Sequence, residues 1–283
     1  MKAQDLIAKV PNLPAPSPSV ARMLSLLAKA DADNEELIHV VSQDGVMCAK
    51  LLGMCNAAAY GLATPVGSIE QAVMYLGHTQ IHRLVMTVGF GGGLSRELHG
   101  YAIGSSELWK HSLLTAYVSV AVASRTPGVV TDPSLAYTAG LIHDIGKIVI
   151  SHALSDGPQR DVLGLIEQQH CTLMEAERAV LGTDHAEVGA CLLRQWKLPE
   201  ILIEAVANHH QPVCTPTPQL SAVVHVADVI SLEAGCAPGL GSYAMRADEA
   251  AIEALGLTSD DMERLVISAF DALAEVEGMM AVS

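Results

Sequence analysis

The sequence predicts an all-α protein. Three observations carry that expectation. Nearly every segment repeats its apolar residues with helical period, alternating apolar–polar stretches are scarce, and only 4% of the 283 residues are aromatic. The pattern divides into roughly a dozen short helices.

Each element has its own signal. Ser17-Pro18 reads as an N-cap followed by proline at the first helical position, opening "SVARMLSLLAKA". Asp33-x-x-Glu36 resembles a capping box before "ELIHVVS", and Asp44 is placed to cap "GVMCAKLLGMCNAAA". Ser68-x-x-Gln71 is a second capping box, before "AVMYLG". "TQIHRLVMTVGF" then runs into "GGGL", where a break is expected.

After the glycine-rich stretch "GGGLSRELHGYAIGS" come "ELWKHSLLTAYVSVAVAS" and the apolar run "AYTAGLIHDIGKIVI", which reads as one buried helix. "GTDHAEVGACLLRQW" sets His185 near a helix start. "LPEILIEAVANHHQP" is a helix that Pro212 terminates, and "QLSAVVHVADVISLE" is a further apolar helix. A subdomain boundary is expected between Phe90 and Ser105, giving an N-terminal helical part over 1–100 and a larger helical part over 101–283.

Half of the residues are hydrophobic, so a sizeable core can form, and the formal net charge is −15. The 16 basic residues are scattered without a basic run, which argues against a phosphate-backbone surface and a nucleic-acid partner. No apolar leader segment stands at the start. The longest uncharged run, "LLGMCNAAAYGLATPVGSI", holds Asn, Pro and Gly and makes a poor membrane span. The six cysteines form no C-x-x-C pair and read as reduced thiols, so the expectation is a cytoplasmic protein that engages no membrane.

The polar residues inside apolar helices carry the chemistry. Glu107 and His111 are four apart, as are His143 and Lys147, so each pair projects from one helix face. Asp144 lies three before Lys147. His185, the pair His209–His210, and Asp228 with His225 one turn earlier complete the set. Imidazole and carboxylate suit Fe, Mn or Zn, and Lys147 could orient a phosphate or pair with Asp144. Singly, each has an ordinary reading as a core histidine, a cap or a salt-bridge partner. His39, His78, His82, His99, His152 and His170 are read that way outright. The combination is what points to a site, because buried charge is costly unless paired or metal-bound.

The stretches "LPAPSPSVARMLSLL", "VVSQDGVMCAKLLGMCNAAAYG", "SIEQAVMYLGHTQIHRLVM", "LWKHS", "AGLIHDIGKIVI", "HAEVGACLLRQWKLPEILIEAVANHH" and "VVHVADVI" occur in an order that resembles the HDOD family of bacterial signalling proteins. The second half also resembles the wider HD superfamily of metal-dependent phosphohydrolases. The resemblance implies an N-terminal helical subdomain packed on an HD-like bundle, and a regulatory or output role through a signalling protein partner. Many HDOD proteins have lost their ligands, but the polar positions here are similar to those of HD-GYP phosphodiesterases. Glu107, His111, His143, Asp144, Lys147, His185, His209, His210 and Asp228 match that order.

By that resemblance, one or two divalent ions, iron or manganese, would be held by the histidines and carboxylates. Asp144 would be central and Lys147 would steady transition-state charge. After His210 the chain reads "QPVCTPTPQ", without the G-Y-P element that helps HD-GYP enzymes form a cyclic di-GMP pocket. Two functions follow from the resemblance. One is a signalling module that retains a metal site. The other is a metal-dependent phosphohydrolase or phosphodiesterase acting on a phosphate-containing small molecule such as a nucleotide or cyclic dinucleotide.

Overall fold

The computed structural model describes residues 1–11, 13, 15–27, 34–56, 62, 64–126, 132–154, 158–212, 218–239 and 245–280. Among these, the first half folds into α1 (Ala3–Ala8), α2 (Pro18–Leu27), α3 (Asn34–Ser42), α4 (Gly45–Cys55), α5 (Ile69–Leu76) and α6 (His78–Leu94). The second half folds into α7 (Glu107–Arg125), α8 (Pro133–Ile142), α9 (Ile145–Ala153), α10 (Pro158–Gln169), α11 (Leu173–Leu181) and α12 (His185–Gln195). It continues with α13 (Glu200–Asn208), α14 (Pro218–Glu233), α15 (Glu249–Leu255) and α16 (Ser259–Met280). No strand forms among the described residues. An isolated bridge joins Leu98 and Ile103 in the connector between α6 and α7.

Capping explains several of the starts. Ser17 Oγ accepts the Val20 N–H at 3.4 Å, and Asp44 accepts the Met47 N–H at 3.0 Å while also receiving the Ser19 hydroxyl. Ser68 accepts from the Gln71 N–H. Gln71 reaches one residue further back than a capping box requires, to the Gly67 N–H. Asp33, expected to cap α3, lies outside the described residues.

Long α7 runs through the bundle, packed against α8, α14 and α16. On the other side α12 packs on α9 and α13, and α1 reaches across to α9 and α12. α6 lies on α8, and buried apolar residues of both halves form one continuous core. The boundary expected at 100/101 falls inside the connector.

Two sequence expectations are corrected here. The glycines of "GGGL" do not break the chain, because α6 continues through them to Leu94. Gly91 serves close packing instead. A Cβ on Gly91 would sit 3.0 Å from the Trp109 ring, so its absence lets the helix meet that indole. Nor is "AYTAGLIHDIGKIVI" one helix. α8 ends at Ile142, His143 and Asp144 occupy the corner, and α9 begins at Ile145.

His82 on α6 illustrates an imidazole buried without a partner. It is 1% exposed, neither ring nitrogen finds a hydrogen bond, and burial, aided by Arg83, pushes its pKa down to about 3. Unfolded, the ring takes up its proton near 6.5. Between those values the unfolded state binds more protons, so stability rises with pH and is lost on acidification, by about 2 kcal/mol at pH 5. His82→Leu is expected to flatten the acid side of the stability curve, measured as the urea midpoint from pH 7 to pH 5. Parallel curves for the two proteins would contradict this account.

Candidate metal centre

Five histidines and two aspartates converge at the heart of the bundle. α7 supplies His111, the α8–α9 corner supplies His143 and Asp144, and α12 supplies His185 from its first position. His209 and His210 come from the end of α13, and Asp228 from the middle of α14. His111, His143, Asp144, His185, His209 and Asp228 are each at most 3% exposed.

The hydrogen bonds on the far side of each ring decide which nitrogen faces inward. Nδ1 of His111 lies 2.8 Å from the Cys236 carbonyl, Nδ1 of His143 is 2.7 Å from that of Gly140, and Nδ1 of His209 is 2.7 Å from that of Val206. A carbonyl can only accept, so Nδ1 must carry a proton, and in the neutral ring Nε2 presents its lone pair inward. His185 is held differently: its Nδ1 donates to the Glu177 carboxylate at 2.7 Å, with the same inward-facing result.

These lone pairs gather around two positions. At the first, His111 Nε2 is 3.0 Å from Asp228 Oδ1 and 3.3 Å from His143 Nε2. Asp144 Oδ2 lies 3.4 Å from His143 Nε2 and 3.8 Å from His111 Nε2. At the second, His185 Nε2 is 2.8 Å from His210 Nε2, and Asp144 Oδ1 lies 3.4 Å from His185 and 3.9 Å from His209. Each oxygen of Asp144 therefore faces one position.

The donor set fits a metal ion. Ligands about 2.0–2.2 Å from a common ion stand roughly 3–4 Å apart, near the 2.8–3.9 Å between these atoms. Asp144 Oδ1 and His209 Nε2 are buried without a hydrogen-bond partner, and acceptors facing acceptors are stable only with a cation in reach. Burial, with His143 and His185 nearby, holds His209 down to about 3, a neutral ring able to ligate at ordinary pH. Burial opposes ionisation of Asp144, but Lys147, His143 and His185 hold its carboxyl well below the usual carboxylate range.

Lys147 Nζ donates to Asp144 Oδ2 at 2.6 Å. Burial works against its ammonium, and the Asp144 carboxylate more than offsets this, raising its pKa. A cavity of about 150 Å³ opens onto Lys147, His111, His210 and Asp228, and Arg246 also lines it.

Glu107 is not brought to the cluster. It stands exposed at the start of α7, where its carboxylate accepts the Gly104 N–H at 2.8 Å. His225 also stays out of the ligand set. Its Nδ1 donates to the His209 carbonyl and its Nε2 accepts the Asp248 N–H, so it fixes the His209 segment from behind. Glu177 is the residue that sequence reasoning missed. Its one signal is position: it falls on the face of α11 shared by Leu173 and Leu181, where a carboxylate is out of place.

A helical bundle that turns imidazoles and carboxylates onto paired positions defines a class of candidate metal-binding domains. The HDOD domain family matches residues 13–212, and the chain belongs to that family. An HDOD domain protein of unknown function from Geobacter sulfurreducens is 25% identical, with a TM-score of 0.75 over 99% of this chain and 95% of that one. A candidate signal transduction protein from Marinobacter aquaeolei VT8 is 24% identical, with a TM-score of 0.78 over 99% of this chain and 62% of that one.

A candidate metal-dependent phosphohydrolase from Shewanella amazonensis SB2B shares the fold at 16% identity and a TM-score of 0.58, covering 96% of this chain and 95% of that one. Among curated relatives, an uncharacterized protein of Treponema pallidum is 28% identical over 73% of this chain, and ribonuclease Y of Thermus thermophilus is 29% identical over 51%. The chain spans 38% and 20% of the lengths of those two relatives.

Proposed function

We propose that the chain is a signalling module whose bundle holds two divalent transition-metal ions and hydrolyses phosphate esters. His111, His143, Asp144 and Asp228 would hold one ion, and Asp144, His185, His209 and His210 the other. The imidazole-rich set favours iron or manganese over magnesium. Such ions, when bound, polarise a phosphoryl oxygen and make hydroxide available near neutral pH.

The observation that carries the reading is the cavity onto Lys147, His111, His210 and Asp228, because a catalytic centre keeps an open position where a structural one is closed. Lys147 lines that opening while anchored on Asp144, so its ammonium can face charge developing on the phosphoryl oxygens. The lost G-Y-P element argues for a substrate other than cyclic di-GMP. For a partner protein, α4 and α5 offer exposed Val46, Met74 and Tyr75.

The relatives named ribonuclease Y place phosphodiesters of RNA among the substrates to test, although a net charge of −15 works against a broad RNA surface. No helix among the described residues is long and apolar enough to cross a membrane.

A second reading, a module without turnover, is favoured by Lys147 itself. Its ammonium already balances Asp144. The two readings separate on metal-loaded protein assayed with phosphate monoesters, diesters, cyclic dinucleotides and an RNA oligonucleotide. Metal-dependent hydrolysis of any of them supports the first, and no rate on all of them supports the second. Lys147→Met is expected to keep its metal and lower turnover about a hundredfold. Equal metal-dependent rates in variant and wild type would sink the role given to Lys147.

A further inference from the structure

The two metal positions are supported unequally. Backbone carbonyls orient His111, His143 and His209, but His185 depends on a side chain, Glu177, which is fully buried. Glu177 accepts twice from His185, at Nδ1 (2.7 Å) and at the backbone N–H (2.9 Å), so it fixes both the ring and the first turn of α12. Its other oxygen receives the Tyr101 hydroxyl at 2.5 Å. Tyr101 belongs to neither helical half. It sits in a short turn, His99–Tyr101, within the connector that joins α6 to α7.

That connector is a closed structure. The Leu98–Ile103 bridge ties it across, and Ser106 N–H donates to the Ser95 carbonyl at its base. Gly239 packs on the backbone carbonyl of Tyr101, where a Cβ would come to 2.7 Å. Tyr101 is therefore held from behind while its hydroxyl reaches the carboxylate that orients His185.

We infer that Glu177 and Tyr101 are positioning residues for the second metal position, and that the connector sets that position's affinity through the chain Tyr101–Glu177–His185. The inference rests on the two-ion reading given above. A carboxylate behind a ligating imidazole fixes its tautomer and strengthens it as a donor, and losing one typically weakens metal binding about 10- to 100-fold. The first position has no share in this chain, so the effect is confined to one ion. A movement of the N-terminal helices that pulls on the connector would then register as loss of that ion, a route from the signalling half to the bundle.

The test is a titration of the metal-stripped full chain with Co²⁺, followed by its visible absorption, for wild type, Glu177→Gln and Tyr101→Phe, with helicity checked in each. Wild type should take up two equivalents. Glu177→Gln should leave the first equivalent unchanged and weaken the second at least tenfold. Tyr101→Phe, which keeps the ring and removes only the hydroxyl, should weaken the second several-fold.

If Glu177→Gln binds both equivalents as wild type does, or loses both alike, the inference is overturned while the two-ion reading stands. If Glu177→Gln weakens the second and Tyr101→Phe does not, the connector has no part in it. If wild type takes up fewer than two equivalents, the two-ion reading falls and this inference with it.

Discussion

Asp144→Ala is expected to empty both metal positions at once. Elemental analysis should fall from near two ions per chain to near none, because each carboxylate oxygen faces a different set of imidazoles. The same change strands the Lys147 ammonium, 6% exposed and bonded to the lost carboxylate. Removing one partner of a buried pair typically costs about 3–5 kcal/mol. The helical signal should persist, since the apolar core is continuous without the cluster, but the urea midpoint should drop. Adding Lys147→Met to Asp144→Ala should restore much of that midpoint without restoring metal. A single variant that retained one full equivalent would show that Asp144 is not shared.

Gly146→Ala should disrupt the protein more than any other alanine substitution of its size. The backbone carbonyl of His185 already occupies the place a Cβ would take, and the Gly189 N–H lies 2.7 Å from it. Backbone cannot rotate aside as a side chain can, so α9 and α12 must separate. Overpacking of this kind costs about 1–3 kcal/mol and more where nothing yields. The separation also moves His185 off its partners, so metal uptake at the second position should fall with stability. Gly92→Ala is the matched control. It lies inside α6 with nothing within 4 Å of the new methyl, and should raise stability by up to about 1 kcal/mol. Equal melting temperatures for Gly146→Ala and wild type would refute the packing argument.

Much of this was legible in the sequence, and the losses have physical reasons. Helix starts that depend on a local cap, such as those at Ser17, Asp44 and Ser68, could be read because cap and backbone lie three residues apart. The residues that converge in the bundle could be read because charged groups in apolar helices are rare enough to stand out. The corner at His143–Asp144 could not, since apolar period continues across it without a glycine or proline at the break. The glycines at 91–93 misled because a glycine for close approach and a glycine for a turn look alike in one dimension. Glu107 shares a helix face with His111, yet in the first turn of α7 its carboxylate turns back to accept the Gly104 N–H. Glu177 belongs to a helix with three other charged or capping side chains nearby, and only its place on the Leu173–Leu181 face distinguishes the one that turns inward.

The candidate ligands come from segments separated by whole helices, with His111 near the start of the bundle and Asp228 on α14. In a short zinc module the metal meets its donors within a few residues and can drive the chain to fold. Here no ion can find more than two neighbouring donors until α7, α9, α12, α13 and α14 have docked. During synthesis the ribosome must release α14 before the first position has its second carboxylate. Under the proposed two-ion reading, maturation would be ordered: the apo chain would condense on its apolar core, and loading would follow as a separate event. Cellular metal supply would then govern how much of an already folded population is competent, rather than how much of it folds.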